Sequence, residues 1–192
     1  MDDSFFGNVY RMSAGKIRGK ILVELWAAGK PMSLQVIAEK LGLTSSSAMG
    51  YLLGLIKAKY VSVPQKHYYA ITNLGKQAIG LPKVDKNLAQ NILGSLSLEK
   101  AFHFYYDLDQ HSGVHATSLK DFVDKIQTVD LKCIEFHLSR RDFEFWILSL
   151  GDLELSKKLG LIRTANLSGE TLRKEIIETV KSRFEELTKL TL

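Results

Sequence analysis

The side chains with the clearest capacity for chemistry lie in the second half of the chain. Three histidines and two aspartates crowd into thirteen residues, and such ligands suit a borderline or hard metal ion. They are His103, Asp107, Asp109, His111 and His115. Their spacing matches no established zinc pattern, and imidazoles in an aromatic segment usually bond to backbone groups. We therefore predict no metal site and no cofactor.

A second polar group combines His137 with Arg140, Arg141 and Asp142. At a helix N-terminus these residues could bind an anion, because backbone amides and arginines both favour phosphate. They could instead form an Arg-Asp pair and a capping network between helices, which is the interpretation we favour. A ligand sensor or an enzyme centred on His137 and Arg141 is a weaker alternative.

The sequence contains none of the common catalytic patterns. No Ser/His/Asp order, nucleophile elbow, phosphate-binding glycine loop or pair of catalytic carboxylates can be identified, so we predict that the protein is not an enzyme. The single cysteine, Cys133, stands in an apolar context between Leu131 and Ile134 and excludes an intramolecular disulfide and a cysteine-rich zinc site. We expect a buried, inert thiol there.

Basic residues are concentrated in the first half of the chain. Residues 1–86 hold 12 Lys and Arg against 5 Asp and Glu, whereas residues 87–192 hold 14 against 16. This segregation is expected if the first half contacts a polyanion and the second contacts protein or solvent. No apolar run approaches the roughly 18 residues of a membrane span, and the acidic start Met1-Asp2-Asp3 is unlike a secretory signal. We expect a cytoplasmic protein with no membrane segment.

Apolar spacing and cap residues predict the elements that would position these basic residues. Ser33 suits the start of a second helix, Gly42 its end, and Thr44 or Ser45 the start of a third. The third helix is expected to bury Ala48, Met49, Leu52, Leu53 and Ile56. The predicted elements are helices over 15–28, 34–41, 44–56 and 73–79, and strands over 60–63 and 67–71 with a turn at 64–66.

In this order, residues 16–80 resemble the winged helix-turn-helix domains of prokaryotic transcriptional regulators. The resemblance is carried by the run Ile37 to Leu43, the apolar face of the third helix and the hairpin end from Tyr69 to Gly75. It implies that the third helix enters the DNA major groove while the hairpin tip follows the backbone or the minor groove. By this resemblance the residues that face DNA are Ser45, Ser46, Ser47 and Tyr51, with Gln65, Lys66 and His67 on the wing.

The third helix departs from this family in lacking the usual readers of bases. It has no Arg, Lys, Asn or Gln before Lys57, so bidentate contacts to guanine or adenine are missing. Because this helix offers hydroxyl groups instead, we expect weak or shape-guided recognition of the base sequence. Most of the affinity for DNA should then come from phosphate contacts. The cations expected to make those contacts are Lys16, Arg18, Lys20, Lys30, Lys57, Lys59 and Lys66.

The same helix allows a second interpretation. Gly50 and Gly54 stand four residues apart on its predicted exposed face, where small residues let another helix approach. A protein-docking adaptor is therefore the alternative to DNA binding, although charge and fold together favour DNA.

Residues 81–86 combine proline with charge and predict a linker between a first domain, residues 1–80, and a helical second domain, residues 87–192. Alternation over the aromatic segment favours a strand there, with Phe102, Phe104 and Tyr106 on one face, and an aromatic helix is the alternative.

Further caps divide the second domain into helices. Ser139 with Asp142 resembles a capping box, and Asp152 begins a segment that we expect to end at Gly160. Ser168 precedes a long helix whose apolar stripe could be core or a homodimer seam. That stripe comprises Leu172, Ile176, Val180, Phe184 and Leu187.

Much of the second domain resembles an uncharacterised prokaryotic domain family with no assigned activity. The matching runs are Ser118 to Phe122, Ile134 to Ile147 and Leu150-Gly151-Asp152, with Phe102-His103-Phe104 and His111-Ser112-Gly113.

The sequence thus predicts a mainly α protein with a small β-hairpin wing, in which a winged helix-turn-helix precedes an α-helical domain. The expected function is transcriptional regulation through double-stranded DNA binding and steric occupation of a promoter. The expected partners are double-stranded DNA, a second copy of the chain and a protein bound by the second domain.

Overall fold

The structure, a computed structural model, describes residues 15–192. The prediction for Met1-Asp2-Asp3 lies outside the described residues. The chain divides into two compact units: unit 1 ends at Lys83, and unit 2 spans Val84–Leu192. The described chain is mainly helical with small antiparallel sheets, which confirms the predicted class at that level. None of the described helices is long and apolar enough to cross a membrane.

Unit 1 contains four described helices and one three-stranded antiparallel sheet. Strand β3 is central in this sheet, between β1 and β2. The elements are α1 Lys16–Ala28, β1 Met32–Ser33, α2 Leu34–Leu41, α3 Ser45–Lys57, β2 Val61–Gln65, β3 Tyr68–Ile71 and α4 Asn73–Ala78.

Short polar caps define the helix starts in unit 1. The hydroxyls of Ser33, Thr44 and Thr72 each accept a hydrogen bond from the backbone N–H three residues further on. Gly42 ends α2 with a φ of 63°, a left-handed conformation that glycine adopts without steric cost. The chain therefore passes from α2 into α3 through a three-residue connection, residues 42–44, which is capped at both ends as the sequence predicted.

The core of unit 1 lies between its first three helices and the sheet. Ile21, Leu25, Trp26, Ile37 and Leu52 are almost completely buried. Burial of each such side chain contributes about 1.5–3 kcal/mol. The packing of α1 against α2 and α3 holds the outer surface of α3 in a fixed orientation within the unit.

The sequence predicted the buried positions of α3 only in part, since Met49 and Ile56, which were expected to be buried, are partly exposed. Leu53 was expected to be buried but is 59% exposed, and Leu55 is buried in addition to Ala48 and Leu52. Adjacent helical residues point about 100° apart, so Leu52 and Leu53 cannot both face the core. Packing against α1 and α2 selects Leu52.

The predicted hairpin turn is displaced by one to two residues. Strand β2 continues through Pro64 to Gln65, which pairs with Tyr68, so Lys66 and His67 form the turn. Pro64 has no N–H to donate, and the register shifts between Ser62 and Gln65. Because β2 is an edge strand, it tolerates the proline that we had assigned to a turn.

Unit 2 consists of helices around one β-hairpin. Its elements are α5 Lys86–Leu93, a 3₁₀ turn Leu98–Lys100, β4 Phe102–Asp107, β5 Gln110–Ala116, α6 Leu119–Ile126, α7 Leu131–Ser139, α8 Asp142–Ser149, α9 Leu153–Thr164 and α10 Gly169–Thr191.

The aromatic segment is a strand, as predicted, and it lines the core of unit 2. Phe102 and Phe104 are buried and contact the ring of Phe122. Tyr106, expected on the same face, is 40% exposed because the register shifts between Tyr105 and the strand end. The sequence did not predict the partner strand β5.

Helix α10 closes the core of unit 2. Its stripe, including Leu172, Ile176, Val180 and Leu187, is buried within the unit, while Phe184 is partly buried. The interpretation of this stripe as core is confirmed, and it leaves no free apolar seam there for a second copy.

Two predicted helix boundaries are wrong. The hydroxyl of Ser139 donates to the Phe136 carbonyl inside α7, and Arg141, with a φ of 68°, occupies the N-cap position of α8. Helix α9 continues through Gly160 because this glycine faces the carboxylate of Glu144, where a Cβ would lie 3.2 Å from an oxygen. Gly160 therefore permits close packing rather than ending the helix.

Candidate functional site

The outer surface of α3 presents serine hydroxyls at its N-terminal end. Ser45, Ser46 and Ser47 are all exposed in the first turn. The Thr44 hydroxyl accepts from the Ser47 N–H and donates to the Ser47 hydroxyl, so Ser47 is partly engaged. Ser45 and Ser46 remain available to acceptors or donors outside the chain.

The outermost face of α3 is small and uncharged over most of its length. Ser46, Gly50, Leu53 and Lys57 follow one another at three- and four-residue spacing and are exposed. Tyr51, expected to face DNA, is partly buried at the flank of this face. A surface approaching α3 would therefore meet hydroxyls at one end, Leu53 near the centre and an ammonium at the other end.

Unit 1 carries many exposed cations. Residues 15–83 contain ten Lys and Arg against two acidic residues, Glu24 and Glu39. Glu24 pairs with Lys40 at 3.0 Å, and Lys20 is exposed. Among the described residues, the other predicted DNA-binding cations are exposed and make no ion pair. They are Lys16, Arg18, Lys30, Lys57, Lys59 and Lys66.

The predicted wing residues lie at the turn between β2 and β3. Gln65, Lys66 and His67 are exposed at the tip of the β2–β3 hairpin. Lys59, two residues before β2, and His67 have left-handed φ values of 60° and 66°. The predicted wing residues thus lie together at one turn, although His67 is part of that turn rather than of a strand.

Arg18 differs from the other cations in lying against α3. Its guanidinium packs over Gly54, with Nη2 3.4 Å from the position that a Cβ would occupy. This contact between helices distant in sequence could not be read from the spacing of residues on either helix.

In unit 2, His137 is buried and engages both ring nitrogens. Its Nε2 accepts from the Tyr105 backbone N–H, and its Nδ1 lies 2.8 Å from Asp142 Oδ2. Because a backbone N–H can only donate, the ring proton is on Nδ1 and is donated to Asp142. Burial lowers the pKa of His137, and the Asp142 carboxylate opposes this shift only in part. The imidazole is a neutral link between β4 and α8 with no nitrogen free for a substrate.

A cleft of about 290 Å³ opens beside this histidine. Arg140 donates to Asp142 Oδ2 at 3.2 Å, and its guanidinium lies 5.1 Å from the Phe136 ring centroid. Asp107 also lines the cleft, which therefore holds one guanidinium and two carboxylates. Arg141 is not among the lining residues. The structure thus brings together only His137 and Arg140 of the three candidate anion ligands.

Arg141 belongs to a separate ion-pair group around a buried carboxylate. Glu144 is 6% exposed and accepts from Arg141 at 3.2 Å and from Arg163 at 2.6 Å. These bonds join the start of α8 to the end of α9. The Arg-Asp pair that we favoured forms between Arg140 and Asp142, whereas no side chain caps α8.

The histidines of the hairpin lie close together. His103 stands opposite His115, and its ring centroid is 5.7 Å from that of His111 and 5.9 Å from that of His115. His103 Nε2 bonds to the Leu98 carbonyl, and His111 Nδ1 accepts from the Gly113 N–H. Within residues 15–192, no group of three or more His, Cys, Asp and Glu side chains could hold a metal ion.

The sequence did not reveal the most buried cation of unit 2. Arg183 is 3% exposed and binds Asp152 through two hydrogen bonds, and it also bonds to Glu154 and Glu186. These carboxylates and burial act in opposite directions, and the pKa of Arg183 is raised. Asp152 additionally caps α9 through the Leu155 N–H. The only indication of this network in the sequence was Asp152, which we had identified as a helix cap.

Cys133 is a buried free cysteine, as predicted. Burial raises the pKa of its thiol, and the charge of Asp130 adds to this shift. The thiol is therefore protonated and unreactive near neutral pH.

Comparison with known proteins gives information on unit 2 alone. No curated protein and no solved structure matches the chain. Residues 99–191, from the 3₁₀ turn through α10, match the model of a family of unknown function (DUF5752).

Proposed function

We propose that unit 1 is a winged helix-turn-helix that binds double-stranded DNA, and that the protein regulates transcription by occupying a promoter. The observation that carries this proposal is the set of exposed cations of unit 1 that make no ion pair among the described residues.

The order and pairing of elements support the winged-helix assignment. Helix α1 is followed by a short strand, two helices joined at Gly42, and a hairpin whose second strand pairs with β1. In this arrangement α3 would lie in the major groove and the hairpin turn would contact the adjacent backbone. Lys66 and His67, at that turn, would then reach phosphates or the minor groove.

Electrostatics support a polyanionic partner. A cation that has no carboxylate in its own fold retains its full attraction for phosphate and releases condensed counterions when it binds DNA. The ten to two excess of basic residues in residues 15–83 would also steer DNA toward this unit.

The chemistry of α3 supports backbone binding more than base reading. The helix N-terminus, with the Ser45 and Ser46 hydroxyls, offers hydrogen-bond donors to a phosphate. Among its side chains only Lys57 carries a charge. Sequence preference would therefore arise mainly from DNA shape or from residues outside α3.

We assign unit 2 a dimerisation, sensing or partner-binding role in the cytoplasm of a prokaryotic cell. A homodimer would present two α3 helices to half-sites about 34 Å apart, one turn of B-DNA.

The test is salt-dependent binding of the full chain to random duplex DNA, measured by fluorescence anisotropy. We expect tight binding at low salt and a linear fall of log affinity with log salt concentration. Replacing Lys57 and Lys66 together by alanine should lower the magnitude of that slope by about two, because each lost phosphate contact removes roughly 0.9.

The matched control removes the same charge from unit 2. Lys132 and Lys181 are exposed there, and their double alanine variant should leave the slope unchanged. Absence of binding at low salt, or equal slopes for all three proteins, would contradict the proposal.

A specific observation also favours a second candidate, docking of a protein on α3. Leu53 is 59% exposed at the centre of the outer face, between Gly50 and Lys57. An exposed leucine flanked by small residues suits an apolar partner surface, although it also suits contact with a thymine methyl group.

A further inference from the structure

We propose that Arg18 supplies the guanine-reading side chain that α3 lacks, so that base recognition comes from α1 across the surface of α3. This inference rests on the proposed DNA-binding function and adds a specificity-determining residue to it.

The contact with Gly54 places the guanidinium on the helix proposed to enter the groove. Nη2 of Arg18 lies 3.4 Å, and its Cζ and Nε 3.7 Å, from the position of a Cβ at Gly54. Three guanidinium atoms at nearly equal distances mean that the planar group rests on the helix surface. Any side chain larger than alanine at residue 54 would occupy this space.

The hydrogen-bonding fork of Arg18 is free. Among the described residues it makes no hydrogen bond and no ion pair, in contrast to Arg140, Arg141, Arg163 and Arg183 of unit 2. Its side chain is exposed. The guanidinium can therefore offer paired N–H donors to an external acceptor at no cost in broken internal bonds.

The acceptor that best matches this group in a major groove is guanine. Guanine presents O6 and N7 side by side, and a bidentate arginine is the commonest specific contact to it. Arg18 is the single arginine in residues 15–83, so the lysines around it supply point charges without a planar fork. Gly50 has open space around it, so no α3 side chain at that position keeps the base edges away from Arg18.

The experiment selects preferred sites from randomised duplexes with the full chain and then measures affinity for them. The probes are the selected duplex and the same duplex with 7-deazaguanine at the preferred guanine, which removes the N7 acceptor. The proteins are wild type, Arg18→Ala, Arg18→Lys and the control Lys16→Ala, which removes an exposed cation from the same helix.

We expect wild type to lose about tenfold in affinity on the 7-deazaguanine duplex, since the loss of N7 removes one of the two hydrogen bonds and a charge-assisted hydrogen bond is worth about that factor or more. Arg18→Ala should bind both duplexes equally, and Arg18→Lys should keep the salt slope while losing most of the discrimination. Lys16→Ala should lower affinity on both duplexes and keep the tenfold ratio. Circular dichroism verifies that each variant is folded.

Other outcomes separate the two proposals. Uniform loss of affinity in Arg18→Ala with the tenfold ratio preserved would overturn the inference and make Arg18 a phosphate contact. Salt-dependent binding by wild type without any base preference would also overturn it while leaving DNA binding intact. Failure of wild type to bind duplex at low salt would overturn both.

Discussion

In unit 1 the exposed cations Lys16, Arg18, Lys30, Lys57, Lys59 and Lys66 make no ion pair among the described residues. In unit 2, by contrast, Arg183 is 3% exposed and bonds to three carboxylates, and Glu144 is held between two arginines. Unit 2 thus contains buried charges that are paired within the fold, whereas most of the exposed cations of unit 1 have no internal partner among the described residues. Net charge therefore says less about binding than the presence or absence of internal partners.

The difference has an energetic basis. A buried charge must be compensated, because removing one partner leaves the other desolvated. An exposed cation contributes little to folding and can be removed at a cost below about 0.5 kcal/mol. Variants that remove charge should therefore reduce stability in unit 2 and nucleic-acid affinity in unit 1.

The largest expected effect is on the buried network. Arg183→Met leaves the Asp152 carboxylate buried without its cation, and we expect the free energy of unfolding of unit 2 to fall by about 3–5 kcal/mol. This free energy can be measured by urea denaturation, with the fluorescence of Trp146 as the signal. The Trp26→Phe background removes the other tryptophan of the chain. The control Lys181→Ala, on the exposed face of the same helix, should change stability by less than about 0.5 kcal/mol. A change below about 1 kcal/mol in Arg183→Met would contradict the contrast between the units.

A smaller, pH-dependent effect should come from His137. Burial lowers its pKa in the folded state below the usual 6.5, so the unfolded state binds the proton more readily. Stability should therefore be constant well above pH 6.5, fall as the pH drops below it, and level off below the lowered pKa of the folded state. The slope in that window should reach at most about 1.4 kcal/mol per pH unit.

The matched variant for this prediction is His137→Asn. The difference between its unfolding free energy and that of wild type, measured from pH 8 to about pH 5, isolates the histidine because other titrating groups are common to both proteins. A difference that does not change with pH would show that His137 is not protonated preferentially on unfolding.

The smallest expected effect is on the affinity for DNA, and it distinguishes the two candidate functions of α3. Leu53→Lys adds a cation to the outer face, so the DNA-binding proposal predicts a several-fold gain in affinity for random duplex and a salt slope steeper by about one. An adaptor would gain nothing, because a charge in an apolar docking surface opposes binding. Leu74→Lys is the control, since Leu74 is 49% exposed in α4. Equal behaviour of both variants would weaken the assignment of α3 to a groove.

Local signals predicted much of unit 1. Hydroxyl caps at Ser33, Thr44 and Thr72 set the starts of three helices, because each cap bonds to a backbone N–H only three residues away. The turn at Lys66 and His67 was misplaced because Pro64 is usually a turn residue, and only the sheet shows that β2 is an edge.

Unit 2 was less predictable where contacts are distant in sequence. Strand β5 contains Gln110, Ser112 and Gly113, residues of low strand propensity, and it forms because β4 pairs with it. His137 was identified as a candidate ligand, but its partners Tyr105 and Asp142 show that both nitrogens are occupied. The spacing of residues gave no information on those bonds.

The sequence by itself determined the periodicity of the helices, the cap residues and the concentration of basic residues before residue 86. These properties depend on residue type and on neighbours within about one helical turn. Tertiary structure decided which charges are neutralised: Arg183 meets Asp152 across 31 positions, and Arg18 meets Gly54 on another helix. Lysine and arginine have the same formal charge wherever they stand, so only the packing of distant segments separates a cation that stabilises the fold from one that remains free to bind.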